Sequence, residues 1–140
     1  AEPPKPEYAD VVTDVIGFLR DRVAQAEAAG MPRERLVVDP GHDLNKNTVH
    51  TLELTRRLGE VVALGLPTLA AVSNKDFVGE AIGREQGERL EGSLAAMVFC
   101  ILEGARIVRM HDARAAVDAV RMTEAILGWR EPVQAVHNNG

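Results

Sequence analysis

Leu36-Val37-Val38-Asp39-Pro40-Gly41 is the stretch that decides the fold. Three apolar, mostly β-branched residues run into an Asp-Pro-Gly that no helix interior tolerates, because proline lacks an N–H and clashes with the preceding turn. The stretch predicts a short buried parallel strand that delivers Asp39 at its C-terminal end. Before it, Val11, Val12, Val15, Ile16, Phe18, Leu19, Val23 and Ala26 recur at helical spacing between Tyr8 and Ala29, and Gly30 supplies a stop. After it, Thr48 is a candidate cap for a second helix carrying Leu52, Leu54, Leu58, Val61, Val62 and Leu64, closed by Gly65.

The same alternation continues. Pro67 to Val72 reads as a second strand that hands Ser73-Asn74-Lys75-Asp76 to the loop beyond it. A helix from about Arg89 to Glu103 ends at Gly104. A third strand, Ala105 to Val108, leads into Arg109-Met110-His111-Asp112, and a last helix runs from Asp112 to Leu127. Helices alternating with single strands are the rhythm of βα units around a parallel sheet. The expected fold class is therefore α/β, with three strands and four helices. The chain divides into a Pro-rich segment over 1–7, a folded unit over 8–127 and a polar tail over 128–140.

With 46% hydrophobic and 26% charged residues, the 140-residue chain has the composition of a globular domain. A net charge of -5, with no dense basic run, argues against a nucleic-acid partner. Apolar runs such as Leu94 to Leu102 fall short of the roughly 20 residues that span a bilayer, so no membrane partner is expected and a cytoplasmic location is. The single Cys100, in an apolar helical run, reads as an inert core thiol of a reducing compartment. The start at Ala1 within Pro3-Pro4-Lys5-Pro6 leads us to expect a processed or excised part of a longer protein.

Each strand ends in polar groups: Asp39, then Ser73 to Asp76, then Arg109 and His111. In parallel α/β architectures ligands sit outside the carboxyl ends of the strands, so the three sets should converge. A carboxylate, an ammonium and a guanidinium together suit a ligand with hydrogen-bond donors at one end and an anion at the other. By residue type alone, a structural Asp39–Lys75 ion pair with a solvated Arg109 fits as well. No nucleophile and base pair suggests covalent catalysis, so no catalytic residue is assigned. His42, Asp43 and His50 match no standard metal-site spacing, and none is assigned as a ligand.

The wording of these segments resembles the dihydropteroate synthase family from about Tyr8 to Ile126. Asp39-Pro40-Gly41, followed by Lys46 and His50, is similar to the family's D-P-G-I-G-F-G-K-T-x-x-H-N after its sixth barrel strand. Ser73-Asn74-Lys75-Asp76-Phe77-Val78-Gly79 resembles S-R-K-S-F-I-G after the seventh, and Arg109-Met110-His111-Asp112 resembles R-V-H-D after the eighth. Gly92-Ser93-Leu94-Ala95-Ala96 is similar to the family's G-T-L-A-A helix start.

The resemblance implies the C-terminal portion of a (β/α)8 barrel, a fold of about 250 residues when complete. It implies a transferase of folate biosynthesis that joins 6-hydroxymethyl-7,8-dihydropterin pyrophosphate to p-aminobenzoate, with magnesium in the complete family enzyme, none bound by this part alone, and no activity from this part in isolation. Asp39 and Lys75 would bind the pterin, and Arg109 and His111 the pyrophosphate. Asp43, Leu44, Asn74 and Asp76 would border the acceptor. Here the chain departs from the pattern: His42-Asp43-Leu44-Asn45 replaces I-G-F-G, Asn74 replaces an arginine and Asp76 a serine. Like charges about 4 Å apart repel by about 4 kcal/mol at an effective dielectric of about 20, so Asp76 should disfavour the carboxylate of p-aminobenzoate.

In this respect the chain is similar to the divergent second dihydropteroate synthase-like proteins of some actinobacteria. Two further expectations stand beside the synthase: a pterin-binding paralogue without p-aminobenzoate activity, and a methyltetrahydrofolate-type methyltransferase. Three strands alone leave raw sheet edges, so a homodimer or other self-association is expected.

Overall fold

The computed structural model describes residues 7–139; the Pro-rich segment lies, except for Glu7, outside the described residues. Helix α1, Val11–Ala28, starts at Asp10, whose carboxylate accepts from the backbone N–H of Val12 and Thr13. It buries Val11, Val12, Val15 and Leu19, the face that the helical spacing marks. A 3-10 turn, Arg33–Arg35, leads to Val38, which bridges in parallel to Thr68. Strand β1, Leu69–Ala70, then pairs in parallel with β2, Ile107–Val108.

Among the described residues, two of the three expected strands are thus present and parallel, with ladders shorter than the apolar runs, and the first expected strand is a single parallel bridge. The first is reduced to its bridge, because Pro40 has no N–H to continue the ladder and Gly41 N–H turns back onto Asp39 Oδ1 at 2.9 Å. Register fixes the faces. Val38, Thr68 and Ala70 are buried against the helices, whereas Val37 and Ile107 are 50% and 39% exposed on the opposite, inner face. Asp39 and Arg109 follow the parity of Val37 and Ile107 and so stand at the top of that inner face.

The helices pack outside the sheet. Helix α2 (Thr48–Arg56) is followed at once by α3 (Leu58–Val62); the single second helix expected from the pattern is broken at Arg57. The Arg57 guanidinium binds Asp10 and Glu53 at 3.0 Å and Glu60 at 2.6 Å, tying the break to the start of α1. Asn47, not Thr48, caps α2: its side chain accepts from His50 N–H while His50 Nδ1 accepts from Asn47 N–H, a reciprocal cap that a histidine rarely closes.

Helix α4, Asp76–Ile82, lies in a stretch to which the pattern assigns no element beyond the loop at Asp76, and its seven residues are too few to show a periodicity. Helix α5, Leu90–Glu103, and helix α6, Ala113–Ile126, match expectation, and Asp112 caps α6 by accepting from Ala115 N–H. Leu54, Leu58, Val61, Val72, Met97 and Cys100 form the centre of the core, each fully buried. Burial pushes the Cys100 thiol up to about 12, which leaves it inert. At the end of the sheet away from Arg109, the Arg106 guanidinium lies 4.9 Å from the centre of the Trp129 ring. Among the described residues no helix is long and apolar enough to cross a membrane.

Candidate functional site

The carboxyl ends of β1 and β2 share one cleft, while Asp39, after Val38, lines another. A cleft of about 440 Å³ is lined by Ala71, Ser73, Asn74, Lys75, Gln86, Arg109 and His111. Beside it a second cleft, of about 410 Å³, holds Asp39, Leu44 and Lys46 against Tyr8 and the Phe18 side of α1. Lys75 belongs to both electrostatically. Its ammonium is held below the usual lysine range first by burial and also by Arg109, while Asp39 and Asp43 work in the opposite direction. Lys46 is lowered likewise by burial, with Asp39 opposing. Asp39 forms no direct ion pair with Lys75, so the structural pairing that residue type left open is not the one realised.

The loops that carry these groups are stitched to one another. Lys75 Nζ donates to the carbonyl of His42 at 2.8 Å, linking the loop after β1 to the loop after Val38. Lys46 Nζ donates to the carbonyls of Gly41 and Leu44, both at 2.9 Å, closing its own loop. His111 is fixed from the third strand end, its N–H donating to Ser73 Oγ at 3.1 Å and its Nδ1 lying 2.8 Å from the same oxygen. Ser73 is itself buried. The serine thus orients the imidazole and leaves Nε2 free of hydrogen bonds among the described residues.

Of the residues expected at the acceptor side, Leu44 is 63% exposed in the second cleft, where it offers apolar surface. Asp43 is used internally: Oδ2 accepts from Phe77 N–H at 2.8 Å at the start of α4, and Oδ1 accepts from Thr51 Oγ1 at 2.9 Å. Asn74 adopts a left-handed backbone conformation (φ 59°), its N–H donating to Ser93 Oγ at 2.9 Å. Asp76 pairs with Arg89 at 3.0 Å.

Arg89 and His42 carry weight that the sequence did not reveal. Arg89 follows an acidic residue at the start of α5, where a cation works against the helix dipole; that mismatch was the available signal. His42 stacks on Phe77 with ring centres 6.0 Å apart and is fully buried, with neither ring nitrogen bonded. Burial, with Lys75 and Lys46 nearby, pushes its imidazole down to about 4, so it is neutral at physiological pH. Among the described residues, no group of three or more His, Cys, Asp or Glu side chains could hold a metal ion.

Comparison with known proteins gives this geometry its context. The family model described as pterin binding enzyme matches residues 1–111. The chain is 43% identical over 126 residues to the inactive dihydropteroate synthase 2 of Mycobacterium tuberculosis (strain ATCC 25618 / H37Rv), covering 90% of this chain and 40% of that protein. It is 38% identical over 126 residues to the dihydropteroate synthase of Escherichia coli (strain K12), covering 90% of this chain and 45% of that one. The structure superimposes on dihydropteroate synthase of Xanthomonas albilineans with 4-aminobenzoic acid at a TM-score of 0.86 and 40% identity, over 88% of this chain and 45% of that one. With the enzyme from Stenotrophomonas maltophilia the TM-score is 0.87 at 39% identity, over 96% of this chain and 50% of that one. The chain spans less than half the length of these curated relatives, 40% of one and 45% of the other.

Proposed function

The chain belongs to the pterin binding enzyme family and superimposes on part of a dihydropteroate synthase, and from that premise we propose that it serves a dihydropteroate synthase-type transferase of folate biosynthesis. The substrates are 6-hydroxymethyl-7,8-dihydropterin pyrophosphate and p-aminobenzoate. The observation that carries the reading is the meeting of Lys75, Arg109 and the Ser73-oriented His111 in one cleft, with the Asp39 carboxylate beside it.

In this reading Asp39 accepts hydrogen bonds from the amino and N–H edge of the pterin, and Lys75 lies against the ring. Arg109 and His111 hold the pyrophosphate, for which a planar guanidinium and an imidazole N–H are suited donors. The acceptor amine forms a bond to the exocyclic methylene carbon while the carbon–oxygen bond to pyrophosphate breaks. Pyrophosphate leaves with the electron pair, and the amine releases one proton to solvent. The protein's task is orientation and stabilisation of the departing anion, which requires no covalent intermediate. The magnesium of the complete family enzyme finds no ligand set among the described residues, and no step here passes through it. A cytoplasmic location, where Cys100 stays reduced, and association with a second copy complete the reading.

Calorimetry of the full-length protein with the pterin pyrophosphate tests this. Binding is expected, and Asp39→Ala should abolish it; undiminished affinity in that variant would remove Asp39 from the site and the reading with it. A second reading, a pterin-binding paralogue that does not use p-aminobenzoate, is favoured by Asn74, which stands where the resemblance expects an arginine and so leaves the acceptor side without that cation, whereas the Asp76 carboxylate is paired with Arg89. Pyrophosphate release on addition of p-aminobenzoate supports the synthase, and tight pterin binding without release supports the paralogue. The methyltransferase expectation is set aside, because a guanidinium and an imidazole side by side suit a pyrophosphate that such a substrate lacks.

A further inference from the structure

The segment Asn74-Lys75-Asp76 is held from behind by the start of α5. Arg89 is 8% exposed, and its Nη1 donates to the carbonyl of Asn74 at 3.1 Å and to Asp76 Oδ1 at 3.0 Å. Its Nε donates to the carbonyl of Arg84 at 3.3 Å, so the guanidinium is fixed at both ends. Gly79 gives it room: a Cβ there would overlap the guanidinium. One turn further along α5, Ser93 Oγ accepts from Asn74 N–H and donates to Asn74 Oδ1 at 3.3 Å, holding Asn74 left-handed. From that turn Lys75 reaches across to the His42 carbonyl. Asp76 is open to solvent, its side chain 77% exposed, whereas its partner is buried. Asp76 directly follows Lys75 in the chain, and Arg89 is its ion-pair partner among the described residues.

We infer that Arg89 is the positioning residue of the cleft: it locks the turn that presents Lys75 and cancels the Asp76 carboxylate, so that the cleft stays attractive to an anion. The inference rests on the reading of Lys75 and Arg109 as ligand-binding groups. Here one nitrogen serves the turn and the carboxylate together.

Two readouts on the full-length protein test it, both below the melting temperature of each variant. In the first, an amine-acylating reagent and mass spectrometry follow Lys75 and Lys46, with Lys5 as a further lysine of the chain for reference. Arg89→Gln should acylate Lys75 several-fold faster with Lys46 unchanged; equal Lys75 rates in the folded variant would overturn the positioning role. In the second, calorimetry with inorganic pyrophosphate should show affinity lowered by about tenfold in Arg89→Gln, and largely recovered in Arg89→Gln/Asp76→Asn. Failure of the second substitution to restore affinity would overturn the charge-cancelling role. Should Arg89→Gln not fold, Arg89→Lys replaces it, since a lysine keeps the charge but cannot bridge the Asn74 and Arg84 carbonyls; faster Lys75 acylation is again the expected result, and an unchanged rate overturns the inference. If the unmodified protein binds no pyrophosphate while Lys75 acylation still responds to Arg89, the ligand reading fails and the positioning of Lys75 stands.

Discussion

His42 carries a cost that its neighbours do not offset. A fully buried imidazole with both nitrogens unbonded is tolerated only in its neutral form, and the nearest charges, Lys75 and Lys46, are of the wrong sign for protonation. Its pKa is lowered from 6.5 in the unfolded chain to about 4 in the fold. The unfolded state therefore binds the proton more readily, and the stability associated with neutral His42 is fully present above about pH 6.5 and lost as pH falls towards 4. A shift of that size corresponds to about 3 kcal/mol at its limit. Asp10, lowered to about 2 chiefly by its bond from Arg57, acts only at still lower pH, so the two effects separate. His42→Leu should flatten the fall in melting temperature between pH 6.5 and 4.5 while leaving the value at pH 8 unchanged or higher. An undiminished acid limb in that variant would show that another group titrates. That Asp39, Lys75, Arg109 and His111 lie beyond strand ends was legible in the sequence, because these polar groups follow apolar runs. His42 and Arg89 were not, because their environments are built by Phe77, Gly79 and Asn74, which are distant in the chain or unremarkable in type.

Among the elements, the close approach of helices decides what can be replaced. Gly104 ends α5 at φ 116°, and a Cβ there would lie 2.8 Å from Val62 Cγ1 on α3. Gly59, in α3, would place its Cβ 3.5 Å from Glu103 Oε1, an ordinary contact. Gly104→Ala is expected to lower the urea midpoint by the equivalent of about 1–3 kcal/mol, from combined backbone strain and overlap. Gly59→Ala should be neutral or stabilising by up to about 1 kcal/mol, since alanine is the better helix former. Equal effects from the two would contradict the packing described. The long helices α1, α5 and α6 were readable from periodicity and caps because each spans at least three turns. The break at Arg57 and the short α4 were not: Arg57 is tied to the distant Asp10 carboxylate and Phe77 N–H to the distant Asp43 carboxylate, contacts that leave no local pattern.

At the scale of the whole molecule, the strands present an inner face whose apolar groups are partly exposed among the described residues. Val37 and Ile107 are 50% and 39% exposed there, below Asp39 and Arg109. Such a surface favours self-association, and the 140-residue chain should sediment with a concentration-dependent mass at micromolar concentration. Val37→Ser with Ile107→Ser should reduce that dependence; a monodisperse monomer for the unmodified chain would exclude it. The opposite rim of the sheet has a different consequence. The chain's single tryptophan, Trp129, stands under Arg106 at the entry end of β2, away from the carboxyl end of the strand that leads to Arg109. Its ultraviolet emission is therefore an optical gauge of how the C-terminal segment seats against the base, and it is deaf to events among Lys75, Arg109 and His111. Loss of the fluorescence signal on heating would time the release of that rim, while a ligand must be followed by heat or mass.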